Sequence, residues 1–114
     1  MDIQPYSSGE REIQAVAIDL DGTLLNDTHQ IGERTKTALK KAAEQGIQLI
    51  LATGKTRTSA EPLLKELDMQ LPGVFVQGLL VYDAAGNIRQ EQRMDEVTLR
   101  RAIQYGETAG FDVI

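Results

Sequence analysis

The sequence predicts an α/β fold built on a parallel sheet. Three short apolar segments, each typical of a buried strand, alternate with two amphipathic helical segments. Strands that alternate with helices favour right-handed βαβ units, in which the strands lie side by side and parallel. Two of these strands end in polar residues followed by glycine. The sequence therefore predicts a sheet with polar groups gathered at its carboxyl edge, where open α/β folds place their chemistry.

The first strands and helix follow from the hydrophobic pattern. Residues 14–20 form a β-branched, apolar run typical of a strand that is buried on both faces. Residues 21–31 are polar and predict a loop. Residues 32–45 carry their apolar side chains on one face of a helix. A second buried strand is predicted over residues 47–53, and Gly54 ends it.

The next elements continue the alternation. A second helix is predicted to begin with Thr58 or Ser59 as its cap, with Pro62 in its first turn, and to end near Leu67. A third short strand is predicted over residues 74–77. With this strand, the alternation predicts a core sheet of three parallel strands.

Beyond the third strand the pattern becomes that of a hairpin. Residues 79–82 and 88–93 flank a short loop that contains glycine, which is typical of a β-hairpin. A helix is predicted over residues 95–109, with Asp95 as its N-terminal cap. Residues 111–114 resemble the start of a further strand. Three segments are therefore predicted: a polar tail (1–12), a Rossmann-like core (13–78) and the beginning of a second unit (79–114).

Composition narrows the function classes. The 114 residues carry a net charge of −5 and no cysteine. An acidic chain without a basic stripe argues against nucleic acid and anionic membranes as partners. No apolar run is long enough to span a bilayer, and the N-terminal segment lacks the apolar core of a signal peptide. We therefore predict a cytoplasmic protein.

The strongest chemical signal follows the first strand, in the run Asp19-Leu20-Asp21-Gly22-Thr23. A carboxylate at a strand end serves as a magnesium ligand, a nucleophile or both, and a second carboxylate serves as general acid and base. Thr53 and Gly54 bring a hydroxyl and a backbone N–H to the next strand end, and both suit phosphate oxygens. Together these groups indicate phosphoryl transfer through an aspartyl-phosphate, with Mg²⁺ neutralising charge.

At these residues the chain resembles the haloacid dehalogenase (HAD) superfamily of phosphohydrolases. Residues 19–25 look like the first motif of that family, and Leu51-Ala52-Thr53-Gly54 looks like the second. The hairpin after the third strand is similar to the opening of the inserted α/β cap in the Cof-type sugar-phosphate phosphatases. The resemblance extends over roughly residues 14–114. It implies a Rossmann-like core, the start of a cap and a small phosphorylated substrate.

The resemblance also implies roles for five residues. Asp19 matches the nucleophile that becomes phosphorylated and also binds Mg²⁺. Asp21 matches the general acid and base, whose backbone carbonyl is a metal ligand. Thr53 matches the phosphate-binding hydroxyl, and Gly54 and Lys55 accompany it in the phosphate-binding loop.

Departures from the family pattern lower the expected activity. The family's third-motif lysine and its fourth-motif acidic pair follow the cap in this branch, and they have no counterpart within these residues. The chain is therefore expected to be truncated within the cap and to be weakly active or inactive. Lys55 replaces the usual arginine and loses its bidentate fork. Gln77-Gly78 replaces the usual Asn-Gly of the third-strand loop, so that the substrate contact of this loop is left open.

Two other interpretations remain. The first is a non-catalytic fragment that associates with itself or with another chain through its first strand. Without further strands beside it, this strand would be an exposed apolar edge. A receiver domain that is phosphorylated on aspartate also uses Mg²⁺. It is disfavoured because its phosphate acceptor ends the third strand, where this chain has Gln77-Gly78.

Overall fold

The computed structural model describes residues 12–114. Five strands form one sheet: β1 (Ala15–Ile18), β2 (Gln48–Ala52), β3 (Gly73–Phe75), β4 (Leu80–Tyr82) and β5 (Ile88–Glu91). Helices accompany them: α1 (Glu33–Glu44), α2 (Arg57–Leu67) and α3 (Glu96–Thr108). Short turns at Leu20–Leu24 and Val76–Gly78 follow β1 and β3 directly. The predicted α/β class is confirmed.

The strands lie in sequence order across the sheet, from β1 to β5. β1, β2 and β3 are parallel, as the alternation with helices predicts. The register places Ile18 beside Leu51 and Ala52 beside Val74. The carboxyl ends of β1 and β2 therefore meet at one edge of the sheet.

The hairpin extends the same sheet, so the expectation of a three-stranded core sheet is wrong. β4 pairs antiparallel with β3, with Val81 beside Val74, and β5 pairs antiparallel with β4. The turn at Val76–Gly78 reverses the chain immediately after β3 and returns it along the edge of that strand. The result is a mixed sheet with parallel and antiparallel halves.

The beginning of α2 differs from the prediction. Its cap is Thr56, whose Oγ1 accepts a hydrogen bond of 3.1 Å from the backbone N–H of Ser59. Because α2 starts at Arg57, Pro62 lies in the second turn of the helix and not in the first. The predicted cap of α3 is confirmed, since the backbone N–H of Thr98 donates to Asp95.

The C-terminal residues differ from the prediction of a further strand. Residues 111–114 form no strand, and the backbone N–H of Phe111 instead donates to the carbonyl of Gly106 at the end of α3. A strand needs a neighbour to pair with, and none lies beside these residues in the described part of the chain. Most of the predicted N-terminal tail, residues 1–11, lies outside the described residues.

The core lies where α1 and α2 cover the parallel half of the sheet. Its least exposed large side chains come from the turn after β1, from β2, from α2 and from β3: Leu20, Leu51, Leu67 and Phe75. The Phe75 ring packs edge-on against Tyr82 of β4, with ring centres 5.6 Å apart. This contact joins the hairpin to the core. Within residues 12–114, no helix combines the length and apolar character needed to cross a membrane.

β1 is the outer strand of the parallel half and is largely exposed. Ala15, Val16 and Ala17 are all exposed, and the Val16 side chain retains 37% of its accessible surface. Burial on both faces, expected from the apolar run, is therefore wrong for this strand. It has β2 on one side only in the described chain. The separate expectation of an exposed apolar edge agrees with this geometry.

Candidate active site

An open cleft of about 470 Å³ lies at the carboxyl edge of the sheet. Its lining comes from the ends of β1, β2 and β3 and from the loops that follow them: Asp19, Ala52, Thr53, Gly54, Val74, Gln77 and Gly78. The parallel register accounts for the meeting of Asp19 with Thr53, because both follow strands that end at the same edge. Three of the five predicted site residues therefore share one cleft.

A tight turn after β1 positions the two aspartates. Gly22 has a φ of +73°, a conformation that glycine adopts without steric cost. The backbone N–H of Leu25 donates to the carbonyl of Leu20 at 2.9 Å, which closes the turn. Leu20 and Leu24 are buried and anchor it. The Asp19 carboxylate accepts a hydrogen bond of 2.8 Å from the Leu20 N–H, which orients it at the cleft.

The loop after β2 is held by hydrogen bonds on both sides. Thr53 is buried, with 8% of its surface exposed, and its backbone N–H donates to the Val74 carbonyl at 3.0 Å. Its Oγ1 accepts from the Lys55 N–H at 3.1 Å. The Lys55 carbonyl in turn accepts from the Val76 N–H at 3.1 Å. The loops after β2 and β3 are therefore fastened to each other at the cleft.

Asp21 lies between two nitrogen-bearing side chains. Lys55 Nζ is 3.4 Å from its Oδ2, and His29 Nδ1 is 3.6 Å from its Oδ1. The Asp21 side chain is 48% exposed and that of Lys55 is 39% exposed, so solvent screens the ion pair. The pair nevertheless places a cationic side chain beside the predicted acid and base.

The sequence interpretation did not assign His29 to the site. His29 lies in a turn built around Asn26, whose Oδ1 accepts from the N–H groups of Thr28 and Gln30 at 3.0 and 2.9 Å. His29 itself has a φ of +57°. The Asn-Asp-Thr-His-Gln run signals a turn, but no sequence pattern indicates that this turn folds over Asp21.

Gln77 and Gly78 belong to the cleft, which the sequence left open. Gln77 Nε2 occupies the position that a Cβ on Gly54 would need, and Gln77 Cδ lies 3.1 Å from that position. The amide therefore packs directly on the Gly54 backbone. The signal that could have found it was the glycine itself, because a glycine at a strand end often permits a close approach.

The cleft offers oxygen ligands of the type that magnesium prefers, and these supply part of its ligand shell. Residues 12–114 contain no group of three or more His, Asp, Glu or Cys side chains that could hold a metal. Mg²⁺ is commonly bound through one or two carboxylates together with waters and substrate phosphates. The Asp19 carboxylate and the oxygens of Asp21 are donors of this type.

The chain matches a known protein family over most of its length. The model of the haloacid dehalogenase-like hydrolases covers residues 16–114. The chain is 41% identical over 123 aligned positions to the chloroplastic endoribonuclease YBEY of Arabidopsis thaliana. The alignment covers 90% of this chain and 21% of that protein. The chain is 29% identical over 84 positions to the phosphatase YwpJ of Bacillus subtilis. This alignment covers 74% of the chain and 30% of that protein.

The fold has solved counterparts. A crystal structure of a haloacid dehalogenase-like hydrolase from Bacteroides thetaiotaomicron superposes with a TM-score of 0.79 at 26% identity, covering 85% of this chain and 38% of that one. The chain spans about a fifth to a third of the length of the curated relatives described above. These matches confirm the resemblance drawn from residues 19–25 and 51–54. The chain belongs to the haloacid dehalogenase-like hydrolase family, among relatives of the Cof-type phosphatases.

Proposed function

We propose that this chain supplies the catalytic aspartates and the phosphate-binding loop of a magnesium-dependent phosphatase for small phosphomonoesters. The observation that carries the proposal is the shared cleft of Asp19, Thr53 and Gly54 at the carboxyl edge of β1 and β2. The phosphatase relative supports the reaction class. The proposal includes the division into a core over residues 13–78 and the beginning of a cap over residues 79–114, with β4 and β5 of the second segment paired into the sheet of the first.

The aspartates have separate tasks in this reaction. Asp19 attacks phosphorus, forming a P–O bond to its carboxylate as the ester P–O bond breaks. Asp21, in its protonated form, donates a proton to the leaving oxygen. It then accepts a proton from the water that attacks the aspartyl-phosphate. Inorganic phosphate leaves and Asp19 is regenerated.

The loop after β2 holds the phosphate during these steps. The Thr53 hydroxyl and the Gly54 N–H donate hydrogen bonds to its oxygens, and the Lys55 ammonium supplies a positive charge. Because Lys55 is paired with Asp21 through a partly exposed contact of 3.4 Å, it exchanges this partner for the phosphate at little cost. A magnesium ion held by Asp19 and Asp21 would further neutralise the phosphate charge.

We propose that these 114 residues alone turn over slowly or not at all. Asp19 supplies the carboxylate of the cleft lining, and Lys55, paired with Asp21, directly follows the lining residue Gly54 in the chain. A phosphoryl group that spreads negative charge needs more positive groups than this lysine. Loss of a single stabilising donor costs on the order of 100-fold in rate. Rapid magnesium-dependent hydrolysis of p-nitrophenyl phosphate that Asp19→Asn abolishes would contradict this part of the proposal.

Phosphate binding tests the site without requiring turnover. Inorganic phosphate is titrated into the ¹⁵N-labelled chain with and without magnesium, and the backbone amides are followed by NMR. We expect shifts at Thr53, Gly54 and Lys55, and tighter binding when magnesium is present. In Asp19→Asn the magnesium dependence should disappear, because the carboxylate that attracts the ion is gone.

A matched variant makes this measurement specific. Asp27 lies in the same loop region as Asp21, on the exposed turn after the aspartate motif. Asp27→Asn makes the same change of charge as Asp19→Asn, and it should leave both the phosphate affinity and its magnesium dependence unchanged. If the two variants behave alike, or if the shifts avoid the cleft, the proposed site is wrong.

The Arabidopsis relative carries the name of an endoribonuclease, but we propose no RNA substrate for this chain. The match covers 21% of that protein. The net charge of −5 opposes the phosphate backbone of RNA, whose binding depends on clustered cations. The proposed partner remains a small phosphorylated molecule. We propose further that the protein is cytoplasmic and binds neither nucleic acid nor membranes.

A second candidate function is association through the exposed edge of β1. The edge is favoured by the exposure of Val16 and by the absence of a second neighbour for β1 within the described residues. Light scattering after size exclusion tests it. Association that increases with concentration and that Val16→Lys reduces would support pairing, because a charge on an edge strand opposes addition of another strand. A monomer at high concentration would exclude it.

A further inference from the structure

The Arg57 side chain lies between α2 and the loop that joins β4 to β5. Its guanidinium carbon is 5.0 Å from the centre of the Tyr82 ring, in a cation–π contact over the face of that ring. Gly86 of the β4–β5 loop approaches the same group, since a Cβ on this glycine would lie 2.9 Å from Arg57 Nη2. The first residue of α2 is therefore packed against the hairpin and is half-buried.

One terminal nitrogen of Arg57 has no acceptor in the described chain. Nη1 is buried, and no atom within residues 12–114 accepts a hydrogen bond from it. The contact with Tyr82 does not supply an acceptor, because an aromatic face attracts the cation without taking the in-plane N–H bonds. A buried donor without an acceptor destabilises a folded protein, so a ligand oxygen at this nitrogen would be bound favourably.

A cavity of about 280 Å³ opens beside Arg57. Its walls are one flank of α2, residues 68–71 and the β4–β5 loop. Because β4 runs antiparallel to β3, with Tyr82 beside Gly73, this loop lies at the amino end of β3. The candidate active-site cleft lies at the carboxyl ends of the strands, and the two linings have no residue in common. The volume is just below the roughly 300–1,000 Å³ of pockets for drug-sized ligands, so it suits a smaller molecule.

The cavity is lined by charged groups of both signs. They recur along one face of α2 and at the residue that caps its C-terminal end: Arg57, Glu61, Lys65 and Asp68. Within the described chain, none of these side chains forms an ion pair with another of them. A simple anion attracted by the two cations would also be repelled by the two carboxylates. A ligand that carries both charges would be attracted by all of these groups.

Apolar side chains complete the lining. Leu64 and Leu71 belong to the buried core, and Met69 packs against the same core cluster. The cavity therefore has an apolar wall beside charged groups of both signs. Ligand sites commonly combine an apolar lining, which supplies contact area, with a few polar groups that fix the orientation of the ligand.

We propose that this cavity is a second ligand site, which binds a small zwitterion with an apolar side chain, the chemistry of a free amino acid. The carboxylate of the ligand accepts a hydrogen bond from Arg57 Nη1, a pairing for which a guanidinium group is well suited. Its ammonium group lies toward Glu61 and Asp68, and its side chain lies against Leu64 and Met69. The site is independent of the phosphate chemistry, because it uses no residue of the active-site cleft.

Three ligands that differ by one charged group test this inference. L-Leucine, 4-methylpentanoate, which lacks the ammonium group, and 3-methylbutylamine, which lacks the carboxylate, are titrated separately into the ¹⁵N-labelled chain. Binding is read from the Gly86 amide and from the Nε–H signal of Arg57. We expect L-leucine to shift both signals and to leave the Gly54 amide unchanged. Each of the other two ligands should bind at least about tenfold more weakly, because each lacks one charge-assisted contact.

Matched variants assign the contacts. In Arg57→Gln the guanidinium is lost, so L-leucine and 3-methylbutylamine should bind with about equal affinity. Arg34→Gln makes the same change at an exposed position on α1 and should leave the affinity for L-leucine unchanged. Glu61→Gln combined with Asp68→Asn removes both carboxylates from exposed positions, and asparagine tolerates the left-handed backbone of residue 68. In this double variant L-leucine should no longer bind more tightly than 4-methylpentanoate. Two-dimensional NMR spectra report whether each variant is folded.

The unmodified chain is sufficient to overturn the inference. If L-leucine shifts neither the Gly86 amide nor the Arg57 signal, the cavity is not a zwitterion site. If 4-methylpentanoate binds as tightly as L-leucine, the cavity takes a simple anion and the role of the two carboxylates is wrong. An unchanged affinity for L-leucine in folded Arg57→Gln would exclude the contact at Nη1. None of these results depends on phosphate binding at Gly54, so the proposed function stands or fails separately.

Discussion

Lys55 Nζ lies 3.4 Å from Oδ2 of Asp21, so that an ion pair joins the turn after β1 to the loop after β2. The backbone of Lys55 is fixed at the same time by its N–H bond to Thr53 Oγ1 and by the Val76 N–H that its carbonyl accepts. A hydrogen-bonded main chain thus carries a side chain whose carboxylate partner is partly exposed. In the proposed function, Lys55 exchanges this carboxylate for a phosphate oxygen.

Removing the Lys55 ammonium should weaken phosphate binding. We expect Lys55→Ala to raise the dissociation constant for inorganic phosphate about tenfold, because a charge-assisted hydrogen bond is lost. Lys55→Arg should retain most of the affinity, since arginine keeps the charge. NMR titration at the Thr53 and Gly54 amides measures both. Lys41→Ala, on an exposed face of α1, is the control, and an equal loss there would contradict a specific role for Lys55.

Glycine in the loop after β3 should stabilise the chain. Gln77→Gly relieves a φ of +55° and should raise the free energy of unfolding by about 1 kcal/mol. Asp68→Gly relieves a φ of +52° at the end of α2 and should stabilise to a similar extent. Urea unfolding measures both variants, and an unchanged or lowered stability in both would contradict backbone strain at these residues.

Gly73 should tolerate no side chain. A Cβ at this position would lie 2.6 Å from Phe75 Cε2 and 3.2 Å from Leu51 Cβ. Both neighbours are buried, so the strand or the ring must shift, and we expect Gly73→Ala to lower the free energy of unfolding by about 1–3 kcal/mol. Adding Phe75→Leu should relieve part of the clash between the new Cβ and the Phe75 ring. A stability equal to the unmodified chain in urea unfolding would show that the core is looser than described.

Acid should weaken the beginning of α3. The Thr98 hydroxyl, at 2.6 Å from the Asp95 carboxylate, and the Thr98 N–H lower the pKa of this carboxyl below its ordinary value of 3.8. A lowered pKa in the folded state means that the contribution to stability is present above the unfolded pKa. It is lost as the pH falls through the folded pKa.

The Thr98 hydroxyl should account for most of that shift. In Thr98→Ala the side-chain hydrogen bond is removed while the backbone N–H remains, so the pKa of Asp95 should rise toward its ordinary value. An NMR titration of the Asp95 carboxyl carbon measures this pKa in both proteins. Asp83 is the internal reference, because Asn87 lowers its pKa independently of α3. An unchanged Asp95 pKa in Thr98→Ala would assign the shift to the backbone instead.

Local patterns predicted most of the regular structure. The predicted helix over residues 32–45 is observed as Glu33–Glu44, and Asp95 caps α3 as expected. The start of α2 was misplaced because three neighbouring residues, Thr56, Thr58 and Ser59, are all good caps, and only the contact between Thr56 and Ser59 selects one. A predicted strand at residues 111–114 did not form because strands depend on partners that a local pattern does not specify.

The candidate site was predictable where motif and topology agree. Asp19 and Thr53 each follow a strand of a βαβ unit, and the parallel direction of the two strands places both residues at one edge. Asp21 follows from its spacing to Asp19. The contacts of His29 and Gln77 were not predictable, because each depends on a loop with positive φ values at residues that do not favour them.

The sequence by itself determined the family, the parallel half of the sheet and the edge at which Asp19 and Thr53 meet. Those features follow from hydrophobic period, chain order and the right-handed crossover, which are all local or nearly so. Only the tertiary structure decided that Lys55 pairs with Asp21, that β4 adds to β3 and that the Gln77 amide lies across Gly54. The first and the third of these relationships join residues that are distant in sequence. The second depends on the loop after β3, whose positive φ values at Val76 and Gln77 no local pattern favours.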